Sequence, residues 1–276
     1  MRRFLLFTLL ITALLPCLSG FAKGLDRRFQ ILPQPQSVEV LSEKGIDYSS
    51  LTYIQLVEGL DKEALPDLLK SLPNSPQKGK GIALSLTEAG VPDSEEGYIL
   101  EVRRDGATIK SRGLAGLFYG CQTLQQLMED SRDSRTPIPQ LKITDYPSIA
   151  YRAVHWDTKH HLDRMEYYYR EIDRLARYKV NAVIWEIEDK LGYTRRPEIA
   201  SPNAISKQEM QALCRYAKDH HVEISPLVQG LGHASFILKH HWELRENPAS
   251  DWEFCPSNPE TRAQCGMYLE TLPPRM

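Results

Sequence analysis

The sequence predicts an α/β protein in two parts, a small α+β domain over residues 23–147 and a series of alternating strands and helices over 148–276. Three observations predict it. A turn-forming Asp105-Gly106 separates two short strand candidates, a long helical apolar face follows them, and beyond Pro147 the hydrophobic period switches repeatedly between that of a strand and that of a helix.

Taken in order, residues 1–22 read as a processing signal: Arg2 and Arg3, an apolar run from Phe4 to Leu15, and the small-x-small site Gly20-Phe21-Ala22. Cleavage is expected after Ala22, so the protein is expected to be exported, periplasmic or extracellular. Cys17 closes the apolar run as a lipoprotein cysteine would, but Pro16 directly before it argues against acylation. No later segment approaches the roughly 20 continuous apolar residues of a stable membrane span. A net charge of -2 over 276 residues, with 42% hydrophobic and 25% charged residues, gives no field to gather nucleic acid or an anionic membrane.

The first part opens on Ile31-Leu32-Pro33-Gln34-Pro35 and continues through an irregular region with strand candidates at 51–57 and 81–87. A short helix is expected over 65–72, closed by Pro73 and Asn74. Strands at 98–102 and 107–111 pair across the Asp105-Gly106 turn. Leu114, Leu117, Phe118, Cys121, Leu124, Leu127 and Met128 then recur at helical spacing and give a face that covers a sheet. The polar stretch 129–136 and the prolines at 137, 139 and 147 read as a connector, with the boundary at Pro147.

In the second part, strands are expected at 151–156, 180–188 and 222–228. Asp163 with Glu166, and Ser206 with Glu209, have the spacing of capping boxes that open the two intervening helices. A complete eight-fold barrel takes about 250 residues, roughly twice the stretch available, so length alone favours an open sheet. A dinucleotide site would place a Gly-rich turn after the first strand, and Trp156-Asp157-Thr158-Lys159-His160 is not one.

Polar groups gather after each strand: Asp157 to His161, then Glu186, Glu188 and Asp189, then Gly230 to His233. The carboxyl ends of parallel strands are where ligands bind, so one shared site is expected there. Glu186 and Glu188 share a parity opposite to Trp185 and Ile187, which points both to one interior and calls for a basic partner. Arg152 is a candidate for that partner, either in a structural ion pair or as a fork for sugar hydroxyls. His233 sits in Gly230-Leu231-Gly232-His233, where a packed histidine is the commoner outcome. Trp156, Trp185, Tyr193, Trp242 and Trp252 serve a core or a sugar-stacking rim. The pairs His160-His161, His220-His221 and His240-His241 lack the i, i+4 spacing of a zinc motif, so no metal is expected. Nor is there a Walker loop, a nucleophile elbow or a CxxC pair. Cys121 and Cys214 fall on apolar helical faces and are expected as buried thiols, while Cys255 and Cys265 are close enough in sequence to pair.

Several segments resemble the family-20 glycoside hydrolases, the β-N-acetylhexosaminidases: the I-x-P-x-P opening at 31–35, Glu96-Gly97-Tyr98, Gly116 through Leu127, and Asp145-Tyr146-Pro147 with Arg152 five residues before Asp157. The resemblance implies the family's N-terminal α/β domain followed by an incomplete (β/α)8 TIM-type barrel. It further implies that Arg152 holds sugar hydroxyls and that Asp189 and His233 support the catalytic carboxylates. Asp157, Glu186 and Glu188 are further site candidates. The chain departs from the family pattern at Glu186, where histidine is common, at Lys190, which replaces an aspartate, and at His160, which replaces an arginine. The family's G-G-D-E segment, carrying the acid-base glutamate and the aspartate that orients the substrate acetamido group, is absent from the 276 residues. In the family it would follow a segment like 268–274, so the catalytic pair is expected beyond Met276 and the chain is expected to be inactive as it stands. The implied partner is a glycan ending in N-acetylhexosamine, the implied chemistry is substrate-assisted retaining hydrolysis, and no cofactor is implied. A non-catalytic carbohydrate-binding or interaction protein is the alternative.

Overall fold

The structure, a computed structural model, describes residues 24–76 and 78–263. The signal segment, Cys17, Cys265 and with it the pairing of Cys255, and the 268–274 segment lie outside the described residues.

The first part is built on a mixed six-stranded sheet: β1 (Ser37–Ile46), β2 (Leu51–Gln55), β3 (Lys80–Leu86), β4 (Tyr98–Arg103), β5 (Gly106–Ser111) and β6 (Ile138–Asp145), in the spatial order β1-β6-β4-β5-β3-β2. β4 and β5 form the expected hairpin, with Arg103 opposite Gly106 and Tyr98 opposite Ser111. Gly106 is thus the first paired residue rather than the centre of the turn. A Cβ there would lie 2.3 Å from the Gly81 carbonyl oxygen of the neighbouring strand, which is why only glycine fits.

Two expectations are corrected here. The connector over 129–147 contains β6, an interior strand paired with both β1 and β4. Pro139 is tolerated because it lies near the strand start, where the β1 register is irregular between Ser42 and Ile46 and where pairing with β4, which begins at Leu141, has not started. Beyond it Leu141, Ile143 and Asp145 are buried while Lys142 and Thr144 are half-buried, the alternation of a half-covered sheet. The helix ahead of β6 also runs further than expected. With α1 denoting the single turn Asp67–Lys70, α2 spans Leu114–Ser134 and ends on Arg135 in the left-handed region at φ 54°. Its polar last turns are held by Glu129, which accepts from Gln125 and pairs with Arg177 at 2.5 Å, and by Ser131, which donates to the Thr136 carbonyl at 2.6 Å.

In the second part, β7 (Ala153–Asp157), β8 (Ala182–Glu186) and β9 (Glu223–Leu227) form a parallel three-stranded sheet in that order, linked by α3 (Met165–Arg177) and α4 (Lys207–Asp219). One face packs on the helices through an aromatic knot, with the Trp156 and Trp185 ring centroids 5.2 Å apart and Tyr168 4.7 Å from Trp185. Ser206 makes its capping box with Glu209. The Asp163 box does not form. The cap position of α3 is Arg164 with no side-chain cap, because the Asp163 carboxylate faces His161 at 3.5 Å and its N–H donates to the Tyr168 hydroxyl.

The sheets join at the amino end of β7 and β8 through two ion pairs. Lys179 donates to Asp145 at 2.7 Å and to the Tyr98 hydroxyl at 2.9 Å, and Arg152 pairs with Glu96, which also accepts from Asn181 at 2.9 Å. Cys121 is buried and Cys214 half-buried, both as free thiols, and burial pushes the Cys121 thiol up. Among the described residues no helix is long and apolar enough to cross a membrane.

Candidate functional site

The strand register places Asp157 of β7, Glu186 of β8 and Leu227 of β9 side by side at the carboxyl end of the sheet. They lie on the face opposite the aromatic knot, because side chains alternate along a strand and Trp156 and Trp185 point the other way. His155 shares the Asp157 face and reaches Glu186 Oε2 at 3.3 Å. Lys159, two residues past the strand, turns back so that its Nζ lies 3.1 Å from Glu186 Oε1 and 3.3 Å from Asp157 Oδ2. Gln229, at the end of β9, donates its side-chain amide to the same Glu186 oxygen. Glu186 is 4% exposed, and the Lys159 ammonium and Gln229 amide, from the ends of two strands, with His155 alongside, make burying that charge tolerable.

The loop after β7 is fixed from below. The Trp185 indole donates to Thr158 Oγ1 at 3.0 Å, and the Thr158 hydroxyl and N–H both donate to the Glu186 carbonyl, at 3.1 and 3.2 Å. Lys190 donates to the Lys159 carbonyl at 3.1 Å. Glu186 holds the Lys159 ammonium charged above its usual range. The Lys159 backbone N–H, accepted by Asp157 at 3.1 Å, keeps that carboxyl below its usual range. The result is a fixed carboxylate pair bridged by one ammonium, with Asp157 about half exposed to incoming ligand.

Glu188 corrects the expectation that it shares an inward strand parity with Glu186. β8 ends at Glu186, and Glu188 stands in a 3-10 turn, Glu188–Lys190, at φ 43°. Its carbonyl accepts the Tyr193 hydroxyl at 2.7 Å, while its carboxyl makes no ion pair among the described residues. Burial, reinforced by the nearby Glu186 charge, pushes that carboxyl up to about 7, so it exchanges a proton near neutrality. It borders a small pocket with Leu227, Gln229 and Phe236.

Arg152 is the larger correction. It precedes β7, at the amino end of the sheet, and is neither the partner of Glu186 or Glu188 nor part of the strand-end cluster. Its guanidinium is spent on Glu96, the Lys179 carbonyl at 2.6 Å, and the Ile149 and Ala150 carbonyls at 2.8 and 3.1 Å. The five residues of β7 separate it from Asp157 by about 16 Å at ~3.3 Å per residue. Asp189 is held between Lys190 and Lys239, the latter at 3.3 Å, and so ties the turn after β8 to the chain after β9. His233, at φ 56°, packs against Trp252 with ring centroids 4.3 Å apart. The structure therefore brings Asp157 and Glu186 together and sets Glu188 beside them, while Asp189 engages Lys190 and Lys239 and His233 engages Trp252. Sequence reasoning missed Lys159, His155 and Gln229. Strand parity signals His155, which shares the face of Asp157; Lys159 and Gln229 depend on loop conformations that no local pattern specifies. Among the described residues no group of three or more His, Cys, Asp or Glu side chains is arranged to hold a metal.

The arrangement is that of an α/β protein with a cluster of charged side chains at the carboxyl ends of parallel strands. Residues 28–146 match the family described as glycosyl hydrolase family 20, domain 2. The chain is 28% identical over 180 residues to a beta-hexosaminidase of Porphyromonas gingivalis, an alignment covering 57% of this chain and 23% of that protein. It is 24% identical over 245 residues to beta-hexosaminidase B of Pseudoalteromonas piscicida, covering 76% of this chain and 31% of that one. Among solved structures, the GH20 beta-N-acetylhexosaminidase of Streptomyces coelicolor superposes with a TM-score of 0.70 at 26% identity, over 88% of this chain and 57% of that one. These matches support a divergent, partial relative of glycoside hydrolase family 20, and the chain spans about a quarter to a third of the length of the two curated relatives.

Proposed function

We propose that the chain carries part of the sugar site of a β-N-acetylhexosaminidase-type glycoside hydrolase, for glycans with a terminal N-acetylhexosamine. In this reading the domain boundary falls near Pro147, the three-stranded sheet is the first part of a (β/α)8 barrel whose interior is the face bearing His155, Asp157 and Glu186, and the protein is exported through its first 22 residues. The observation that carries the reading is the buried Glu186 carboxylate, held by Lys159, His155 and Gln229 beside the half-exposed Asp157. Carboxylates fixed in this way accept sugar hydroxyls without having to reorganise.

Substrate-assisted retaining hydrolysis needs one carboxylate to orient the 2-acetamido group as its oxygen attacks the anomeric carbon, and a second to protonate the leaving oxygen. The family's G-G-D-E segment is not among the 276 residues. The polypeptide by itself is therefore proposed to bind the terminal sugar without turning it over. Glu188, with a carboxyl poised near neutrality, is the residue here with the titration of a general acid.

The test is calorimetric titration of the chain from Lys23 with N-acetylglucosamine, alongside release of chromophore from an aryl β-N-acetylglucosaminide. Saturable binding that weakens at least tenfold in Glu186→Gln, with no release, is the expected result; tenfold corresponds to about 1.4 kcal/mol, within reach of one charge-assisted hydrogen bond. Binding indifferent to Glu186→Gln removes the strand-end site from the proposal. Chromophore release that disappears in Glu188→Gln overturns the non-catalytic part and makes Glu188 the acid.

A further inference from the structure

On the helical side of the molecule, away from the strand-end cluster, α2 of the first part and α3 and α4 of the second enclose a cleft of about 230 Å³. From α2 the residues facing it are Gln122, Gln125 and Glu129, at i, i+3 and i+7 and therefore on one helical face. Gln125 is spent on the Leu68 N–H and on Glu129. Gln122 is 4% exposed, and among the described residues its carboxamide has no hydrogen-bond partner. Its amide therefore faces the cleft with donors and acceptor free for a ligand.

The opposite wall supplies a matching surface. Tyr216 stacks on His220 with centroids 4.1 Å apart and planes inclined by 30°. Asp173 fixes both rings, accepting the Tyr216 hydroxyl at 2.5 Å and lying 3.4 Å from His220 Nε2. The Arg170 guanidinium, 5.6 Å from the centroid of the Tyr167 ring, borders the cleft with no ion pair among the described residues. Four carboxylates and four basic side chains line the cleft, so it offers a charged ligand of either sign no net attraction. Its volume lies below the roughly 300–1,000 Å³ of drug-sized sites, which suits one small ring.

We propose that this cleft is a second ligand site, for a neutral polyhydroxylated ring such as a single hexose, independent of the strand-end site. The free carboxamide of Gln122 and the guanidinium of Arg170 bond hydroxyls, and the fixed Tyr216–His220 pair offers an aromatic surface for the ring's C–H bonds.

The experiment is titration of the chain with D-glucose, D-glucosamine and D-glucuronate, which share one ring and differ in charge, followed by amide chemical shifts in NMR spectra. The expected result is saturable glucose binding with shifts at residues 63–67, 122–129 and 216–220, at least tenfold weaker in both Gln122→Leu and the surface variant Arg170→Ala, and unchanged in Glu186→Gln. Either charged sugar should bind more weakly than glucose. Absence of saturable glucose binding, shifts confined to residues 155–159 and 186, equal binding of all three sugars, or affinity unaltered in Arg170→Ala would each overturn the proposal. Arg170→Ala retains the decision if Gln122→Leu fails to fold. Loss of the strand-end site in Glu186→Gln leaves this binding intact, so the two readings fail separately.

Discussion

The two ends of the three-stranded sheet use the same ingredients for different purposes. At the amino end, Lys179 meets Asp145 and Arg152 meets Glu96, and further donors of each cation go to Tyr98 or to backbone carbonyls. At the carboxyl end, Lys159 bridges Glu186 and Asp157 but leaves Asp157 half exposed, and Glu188 makes no ion pair among the described residues. A network of mutually paired charges fixes how the two sheets meet. An open one keeps acceptors available for a ligand. Residue type does not separate the two cases; position along a parallel strand does, because ligands bind at the carboxyl ends and the amino ends here face the first sheet across a cavity of about 220 Å³ that the network itself lines.

The strongest way to break that comparison is to remove one partner at the amino end. Lys179→Met leaves the Asp145 carboxylate buried with no cation, and losing one member of a buried pair costs about 3–5 kcal/mol. Urea denaturation should show a loss of that size. A loss below about 1 kcal/mol, the value of an exposed pair, would mean that water in the adjoining cavity takes over the role of the lost cation. Next in size is Arg152→Ala, which deletes one ion pair and three hydrogen bonds to backbone carbonyls, for an expected loss of about 2–3 kcal/mol. Its affinity for N-acetylglucosamine should stay within about twofold of the parent's, since the strand-end cluster lies a full strand length away. The reverse pattern, unchanged stability with lost sugar binding, would restore Arg152 as a sugar ligand.

A smaller effect sharpens the contrast at the open end. The Glu188 carboxyl, ordinarily near 4.5, is raised to about 7 by burial and by Glu186. Between those values the folded chain holds a proton that the unfolded chain has released, so stability falls as pH rises through the window and levels off above about 7. Urea midpoints at pH 5 and pH 8 should differ in that sense, and Glu188→Gln should flatten the difference. A slope unchanged in the variant would assign the effect to another group.

How much of this was legible in the sequence follows the same division. The hairpin at 98–111, the apolar face of α2 and the alternation of strand and helix after Pro147 are local periodicities, readable because a half-covered sheet and a packed helix each repeat one buried face. β6 was not legible, since prolines at 137 and 139 signal a break and only the irregular register against β1 makes room for them. At the site, the gathering of Asp157 and Glu186 at strand ends was readable from topology. The direction of Arg152 was not, because the carboxylate that captures it, Glu96, lies 56 positions away in the chain. Glu188 was misread for a different reason: parity holds only while the strand lasts, and β8 stops two residues short of it.

The smallest expected effect concerns two helix starts with the same sequence signature. Ser206 and Glu209 complete both bonds of a capping box at the start of α4, so Ser206→Ala should cost about 1 kcal/mol. Asp163 and Glu166 have the same spacing, yet Asp163 is turned toward His161 and α3 begins without a side-chain cap. Asp163→Ala should therefore change stability by no more than about 0.5 kcal/mol, the ordinary scale of a surface substitution. Equal losses in the two variants would place Asp163 on the helix start after all. A four-residue motif can be satisfied locally only where no nearby partner competes for its carboxylate, and after β7 the histidine pair of the strand-end loop supplies that competitor.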